Sequence, residues 1–198
     1  MSRGDDTKQR IVTEAAGLFN QKGFEGGSIS ALMEATGLEK GGIYRHFSSK
    51  EEIAAEAFDY ALNIATEARV RDLDRFPNSV DKLKLFIANF VERRSSVPGG
   101  CPILNTAVDA DDGNPVLRDR ARNAFRQWLG RLESIVKDGI KAREIRRGVV
   151  PRDVATLIVS SLEGALIISR LERDRQALLS IRSFLEAYLE RDVRRSRY

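Results

Sequence analysis

A chain of 198 residues with 42% apolar and 31% charged side chains can fill the cores of one or two domains and has the charge content of a largely helical soluble protein. Cys101 is the single cysteine and His46 the single histidine, so no intrachain disulfide forms and no Cys/His cluster exists to hold a metal; neither metal nor cofactor is expected. A net charge of +4 is too modest to argue for a nucleic-acid partner by itself, and with no signal peptide and no apolar run approaching about 18 residues, a reduced cytoplasmic compartment without a membrane is expected.

Residues 1–6 are polar and expected to be disordered. A first helix from about Thr7 to Lys22 buries Ile11, Ala15, Leu18 and Phe19, with Gly23 as its C-terminal stop and Phe24 packing back. Ser28, after two glycines, is an N-cap for a second helix whose Ile29, Leu32 and Met33 share a face. Thr36-Gly37 ends it, Gly37 supplying the left-handed backbone of a sharp turn. Leu38, Ile43 and Phe47 re-enter the core, leaving Glu39, Lys40, Gly42, Arg45 and His46 outward on a short third helix. Helix, glycine turn and short polar-faced helix make the plan of a helix-turn-helix.

Ser49 and Glu52 have the spacing of a capping box for a fourth helix that carries Ile53, Ala57, Tyr60 and Ile64 to about Leu73. After a break at Phe76-Pro77, a fifth runs from about Val80 to Arg94 with Leu83, Phe86, Ile87, Phe90 and Val91 inward. Val97-Pro98-Gly99-Gly100-Cys101-Pro102 cannot be regular helix. Short helix 6 spans Ile103–Ala110, and helix 7 follows Pro115 from about Val116 to Arg143. Pro151 opens helix 8, whose Ala165-Leu166-Ile167-Ile168 is apolar all round; helix 9 covers about Arg175 to Arg191 with Leu178, Ile181, Phe184, Leu185, Tyr188 and Leu189. One core cannot cover every apolar face of these last two helices. A four-helix interface between two subunits would do so; the alternative reading is an ordinary monomer core. The basic end, Arg191 to Arg197, is read as a frayed, solvated tail, with a DNA role as the alternative.

Gly37-Leu38-Glu39-Lys40-Gly41-Gly42-Ile43-Tyr44-Arg45-His46-Phe47 followed by Ser49-Lys50-Glu51 closely resembles the recognition-helix signature of TetR-type transcriptional regulators. Ala15, Ala16, Leu18, Phe19, Gly23 and Phe24 match the usual first-helix pattern in order and spacing. The resemblance covers about the first quarter of the chain. It implies an all-α fold: a three-helix DNA-binding domain (residues 1–48) joined to a larger helical-bundle domain for effector binding and dimerisation (residues 49–198), about nine helices in all. It also implies a homodimer through helices 8 and 9 on a double-stranded, palindromic operator, released when a small molecule binds.

Residues 1–50 hold seven basic and six acidic groups, so the DNA reading rests on position rather than bulk charge. By resemblance, Glu39, Lys40, Gly41, Gly42, Tyr44, Arg45 and His46 face the groove or its walls, with Lys40 as the main base contact. Glu39 either accepts from a cytosine amino group or stabilises the helix N-terminus. Many family members carry Ser or Thr where Glu39 and Gly42 stand. Tyr44, His46 and Lys50 are phosphate anchors, and Ser28 and Ser30 offer another; the Tyr44 ring can pack inward at the same time. For the effector, Phe86, Phe90, Leu104, Phe125 and Trp128 are candidate walls, Asn105 a polar orienting group, and Glu163 a buried carboxylate or a partner for Arg170. Cys101 is either a small buried apolar residue or, because Gly-Cys ahead of Asn105 resembles a branch regulating electrophile or aldehyde metabolism, a sensor of such compounds. A small helical enzyme, or a helical adaptor without DNA contact, is the rival class; no nucleophile–base pair supports an enzyme.

Overall fold

The computed structural model describes residues 3–93 and 96–196, the side chain of Arg3 excepted. Among them are nine α-helices and no strand: α1 Arg3–Gly26, α2 Ile29–Thr36, α3 Lys40–Tyr44, α4 Lys50–Val70, α5 Ser79–Glu92, α6 Pro102–Ala110, α7 Pro115–Lys141, α8 Pro151–Glu172 and α9 Gln176–Tyr188. The all-α architecture expected from the apolar spacing is the one found. Two compact units share the chain, residues 1–66 with 95–124 and residues 67–94 with 125–198.

In the first unit, α1 buries Ile11, Val12, Ala15 and Ala16 against Leu32 of α2, Ile43 of α3, Phe47, and Ile53, Ala57 and Ala61 of α4. Helix α1 begins earlier than expected: residues 3–6 are helical, with Asp5 and Asp6 in the first turn, where acidic groups complement the exposed N–H dipoles. Met1 and Ser2 lie outside the described residues. Gly23 breaks α1 at φ 73, ψ 174, a backbone region open essentially to glycine alone. Gly37 ends α2 in the left-handed region at φ 65.

In the second unit, α5, α8 and α9 pack on one another. Leu83, Ile87, Leu132, Val136, Ile158, Leu162 and Leu185 are fully buried. Helix α4 stops at Val70 rather than Leu73; the Asn89 amide donates to the carbonyls of Arg69 (3.1 Å) and Arg71 (2.9 Å), capping its end, and Leu73–Arg75 forms a separate 3₁₀ turn. The expected end of the fifth helix at Arg94 falls outside the described residues, as does Arg197. Helix α8 reaches a mean hydropathy of 1.6 over an 18-residue window, 44% of it buried, so this helix is more apolar than the sequence reading allowed. By composition alone it could cross a membrane, but here its inner face is core.

The basic tail is not frayed. Helix α9 passes into a π turn at Leu189–Val193, and Arg194 pairs with Ile145 in an isolated antiparallel bridge. Arg146 N–H donates to the Val193 carbonyl (3.1 Å), and the Arg146 guanidinium donates to the carbonyls of Arg191 (2.7 Å) and Arg194 (3.1 Å). Arginines here satisfy carbonyls that the end of a helix leaves open, a use that composition does not reveal.

A Cβ at Gly23 would collide with the Asp109 carboxylate, whereas one at Gly37 would meet nothing within 4 Å. Gly23→Ala should therefore cost about 3 kcal/mol, strain plus clash, and Gly37→Ala about 1 kcal/mol, backbone strain alone. Chemical denaturation of the two variants measures the difference.

Candidate nucleic-acid interface

Helix α2 starts on Ser28, whose hydroxyl oxygen accepts from Ala31 N–H at 3.1 Å. At its other end the buried Thr36 hydroxyl donates to the Leu32 carbonyl at 2.7 Å, holding the last turn before Gly37. Helix α3 has only five residues, too few to sustain itself in water. Its direction is set by Ile43, fully buried, and by Phe47 just beyond it. The Glu39 carbonyl accepts from Gly42 N–H (2.8 Å) and Ile43 N–H (3.2 Å), while the Glu39 side chain caps nothing.

With Ile43 as anchor, the opposite face is open. Ser28, Ser30, Glu39, Lys40, Gly41 and Arg45 are exposed; Gly42, Tyr44, His46 and Lys50 are half-buried. Tyr44 thus has a ring partly inward, with Lys40 Nζ 6.0 Å from its centroid. Lys50 Nζ lies 4.4 Å from the Phe24 centroid, a cation–π contact that holds the ammonium in place without neutralising it. A Cβ at Gly41 would meet nothing within 4 Å, and one at Gly42 only ordinary contacts with Leu38. The fold itself does not require glycine at either position.

A polar lock that sequence reasoning missed holds the end of α1. The Asn105 amide on α6 donates to the Asn20 carbonyl (2.9 Å), the Asn20 side-chain oxygen (3.0 Å) and the Gly99 carbonyl (2.8 Å). The Asn20 amide donates in turn to the Pro98 carbonyl at 2.8 Å and the Gly100 carbonyl at 3.3 Å. Asp109 accepts from Phe24 N–H at 2.7 Å. Gly99, at φ 109, sits so close to Asn20 that a Cβ there would strike its backbone. The irregular Pro-Gly-Gly segment therefore exists to present carbonyls to α1. Nothing in the sequence links Asn20 with Asn105; only the two glycines hinted at close backbone approach.

Of the effector candidates, Phe86 and Trp128 meet edge-to-face with centroids 6.3 Å apart, both buried. The Arg69 guanidinium lies 4.8 Å from the Phe90 centroid. Phe125 is half-buried and Glu163 buried, all in the second unit. Cys101, Leu104 and Asn105 belong to the first unit. The Asn105 amide nitrogen is spent on the lock, and Cys101 is 1% exposed at the start of α6, so its thiol is shut away from solvent. Among the described residues no group of three or more His, Cys, Asp or Glu is placed to hold a metal.

Residues 11–57 match the profile described as bacterial regulatory proteins, tetR family, and residues 79–185 that of the tetracyclin repressor-like C-terminal domain. The chain belongs to the TetR family. A TetR transcriptional regulator from Chloroflexus aurantiacus J-10-FL is 42% identical over 99% of this chain and 100% of that one, with a TM-score of 0.94. The HTH-type transcriptional repressor DhaR of Mycobacterium sp. (strain GP1) is 26% identical over 86% of each chain. The TetR family regulator CifR, solved with a 26 bp double-strand operator DNA, is 23% identical over 90% of this chain and 94% of its own, with a TM-score of 0.79; at that identity it speaks for the fold.

As a TetR-family protein, this chain is a DNA-binding helix-turn-helix regulator of transcription, and α2, the Gly37 turn and α3 are its helix-turn-helix. Helix α4, on which the motif rests, starts with half of the expected capping box. Ser49 accepts from Glu52 N–H at 3.1 Å, but the Glu52 carboxylate reaches one residue further back, accepting from Ser48 N–H and Ser48 hydroxyl, each at 2.6 Å. Those bonds, the hydroxyl first, hold the Glu52 pKa below its ordinary 4.5. A depressed carboxylate pKa contributes stability that is complete above its unfolded value and lost as pH falls through the folded one. Acid titration of the wild type should show this loss below pH 4.5, and Glu52→Gln should be less stable at neutral pH with a flatter acid limb; denaturation midpoints against pH check it.

Proposed function

We propose that this protein is an effector-responsive repressor that binds a palindromic operator as a homodimer and releases it on binding a small molecule. The observation that carries the reading is the exposed Lys40–Arg45 face, held outward by the burial of Ile43 and Phe47 and free of any internal reason for its two glycines. Residues 1–48 act as the reading head and residues 49–198 as the effector-binding and dimerisation part. Gly41 and Gly42 let the backbone approach the duplex, Lys40 reads base edges, and Tyr44, His46 and Lys50 hold phosphates, with Ser28 and Ser30 at the start of α2. Arg45 adds charge at the rim. Repression is supported by the similarity to the transcriptional repressor DhaR, and a cytoplasmic location by the nature of the task.

Dimerisation is assigned to α8 and α9. Ile167, Ile168 and Leu171 on α8, and Leu179 and Phe184 on α9, are exposed by 45–77%, an apolar face on two helices that pack together. Such a face suits a four-helix interface, which places two recognition helices in successive major grooves about 34–36 Å apart. The effector is assigned to the second unit, with Phe86, Phe90, Phe125, Trp128 and Glu163 as its contacts. Binding favours a different recognition-helix spacing, passed on through α4 and through the α6 segment that carries Cys101, Leu104 and Asn105. An electrophile or aldehyde acting at Cys101 is the chemical class suggested by its motif; its burial means that the start of α6 must open first. An enzyme remains the rival class, tested by turnover assays; an adaptor would fail the DNA assay below.

Lys40→Ala should weaken operator binding and change base preference, at about 1–3 kcal/mol, while Lys50→Ala should weaken all sequences alike and lower the salt slope by about 1. Fluorescence anisotropy on operator variants at fixed salt measures both; unchanged binding in the two variants would overturn the placement. Phe184→Asp, which puts a charge on the proposed interface, should give a monomer at micromolar concentration in sedimentation equilibrium, with operator affinity reduced at least ten-fold (about 1.4 kcal/mol). A dimer as tight as the wild type would remove α9 from the interface.

A further inference from the structure

The docked C-terminal segment and the α7–α8 connection enclose a cleft of about 460 Å³ in the second unit. Its walls are polar and carry three arginines, Arg143, Arg194 and Arg195, against two glutamates, Glu144 and Glu190. Both carboxylates are partly engaged: Glu144 Oε2 takes Ser79 N–H at 2.7 Å, and Glu190 takes Lys84 at 2.9 Å and Arg194 at 2.6 Å. The Asn78 side-chain oxygen takes Val80 N–H (2.9 Å), Asp81 N–H (3.3 Å) and Arg194 (3.2 Å). Arg194 itself is held by Asp81 and Glu190. Arg143 and Arg195 line the same cleft and form no ion pair among the described residues, and there the Asn78 amide nitrogen has no hydrogen bond.

Both side chains are exposed, and two further observations fix the backbone that carries them. Arg195 N–H donates to the Glu144 carbonyl at 2.8 Å, beside the Ile145–Arg194 bridge, so the Arg195 backbone is held against the residue that follows Arg143. Arg143 occupies the left-handed position that ends α7, at φ 60, with Glu144 N–H closing onto the Gly139 carbonyl at 2.8 Å. Glycine is the usual residue there, because a Cβ is disfavoured. The chain keeps a guanidinium at a position where the backbone alone would favour glycine.

We propose that this cleft is a binding site for a small phosphate-type oxyanion, held between Arg143 and Arg195 with the Asn78 amide as a further donor. Guanidinium forks match phosphate oxygens two at a time, and charge-assisted bonds of this kind are the strong ones. The volume is that of a small-molecule site and far below the reach of a duplex. The site belongs to neither the DNA face nor the effector contacts assigned above, and its test needs no operator.

Titration calorimetry of the full-length protein with inorganic pyrophosphate, and separately with a nucleoside diphosphate, at constant ionic strength is the measurement. Wild type should bind in a saturable one-to-one manner; Arg143→Gly and Arg195→Gln should each raise Kd at least ten-fold. Arg143→Gly relieves the left-handed strain, so its melting temperature should be equal or higher and the loss cannot be charged to misfolding. Tighter binding of the nucleotide identifies a phosphorylated organic ligand, and equal binding a free inorganic anion; both support the site. No binding by wild type, or binding that survives both substitutions, overturns it. So does a result in which only random duplex DNA, and not pyrophosphate, loses affinity in Arg143→Gly.

Discussion

Everything the reading head does depends on one side chain in a hole. Five residues cannot hold a helix together by their own hydrogen bonds, so α3 exists because Ile43 is fully buried against α1, α2 and α4. The apolar anchor fixes the rotation of the helix about its axis. That rotation decides which residues point outward, and hence that Lys40 and Arg45 are available while Leu38 and Phe47 are not. Affinity at this surface is polar, but its geometry is set by hydrophobic burial on the other side.

Much of this was legible in the sequence because it is local. The Ser28 cap, the left-handed Gly37 and the spacing of Ile29, Leu32 and Ile43 are short-range physics, and the structure places them as the residue types demand. What stayed illegible is long-range and polar. Asn20 and Asn105 are 85 positions apart, and neither type announces a partner. Glu52 chose Ser48 over Ser49, a difference of one residue that pattern rules do not resolve. The arginine-rich end looked solvated because composition counts charges and not carbonyls; Arg146 uses its guanidinium to cap backbone, which turns a tail into a docked segment.

The candidate site divides in the same way. Positions on α3 follow from a helical wheel, so the sequence ranks them well. The effector contacts do not, since aromatic residues at helical spacing look alike whether they line a cavity or fill a core. Phe86 and Trp128 touch each other, and Phe90 lies beside Arg69, so in each case a neighbour within the fold covers part of the ring. The α8–α9 surface is the opposite case: Ile167, Ile168 and Phe184 were apolar without a partner in the sequence and remain exposed in the fold.

The empty space around Gly41 and Gly42 has a consequence for how such a protein diversifies. Neither position contributes to the packing that seats α3, and a side chain at either would project into open surroundings or brush Leu38. Replacement there would even strengthen the helix, by about 1 kcal/mol per glycine. Scaffold integrity therefore does not constrain these two positions, and a lineage could change the side chains on this exposed face by two codon changes while the packing behind them stays as it is.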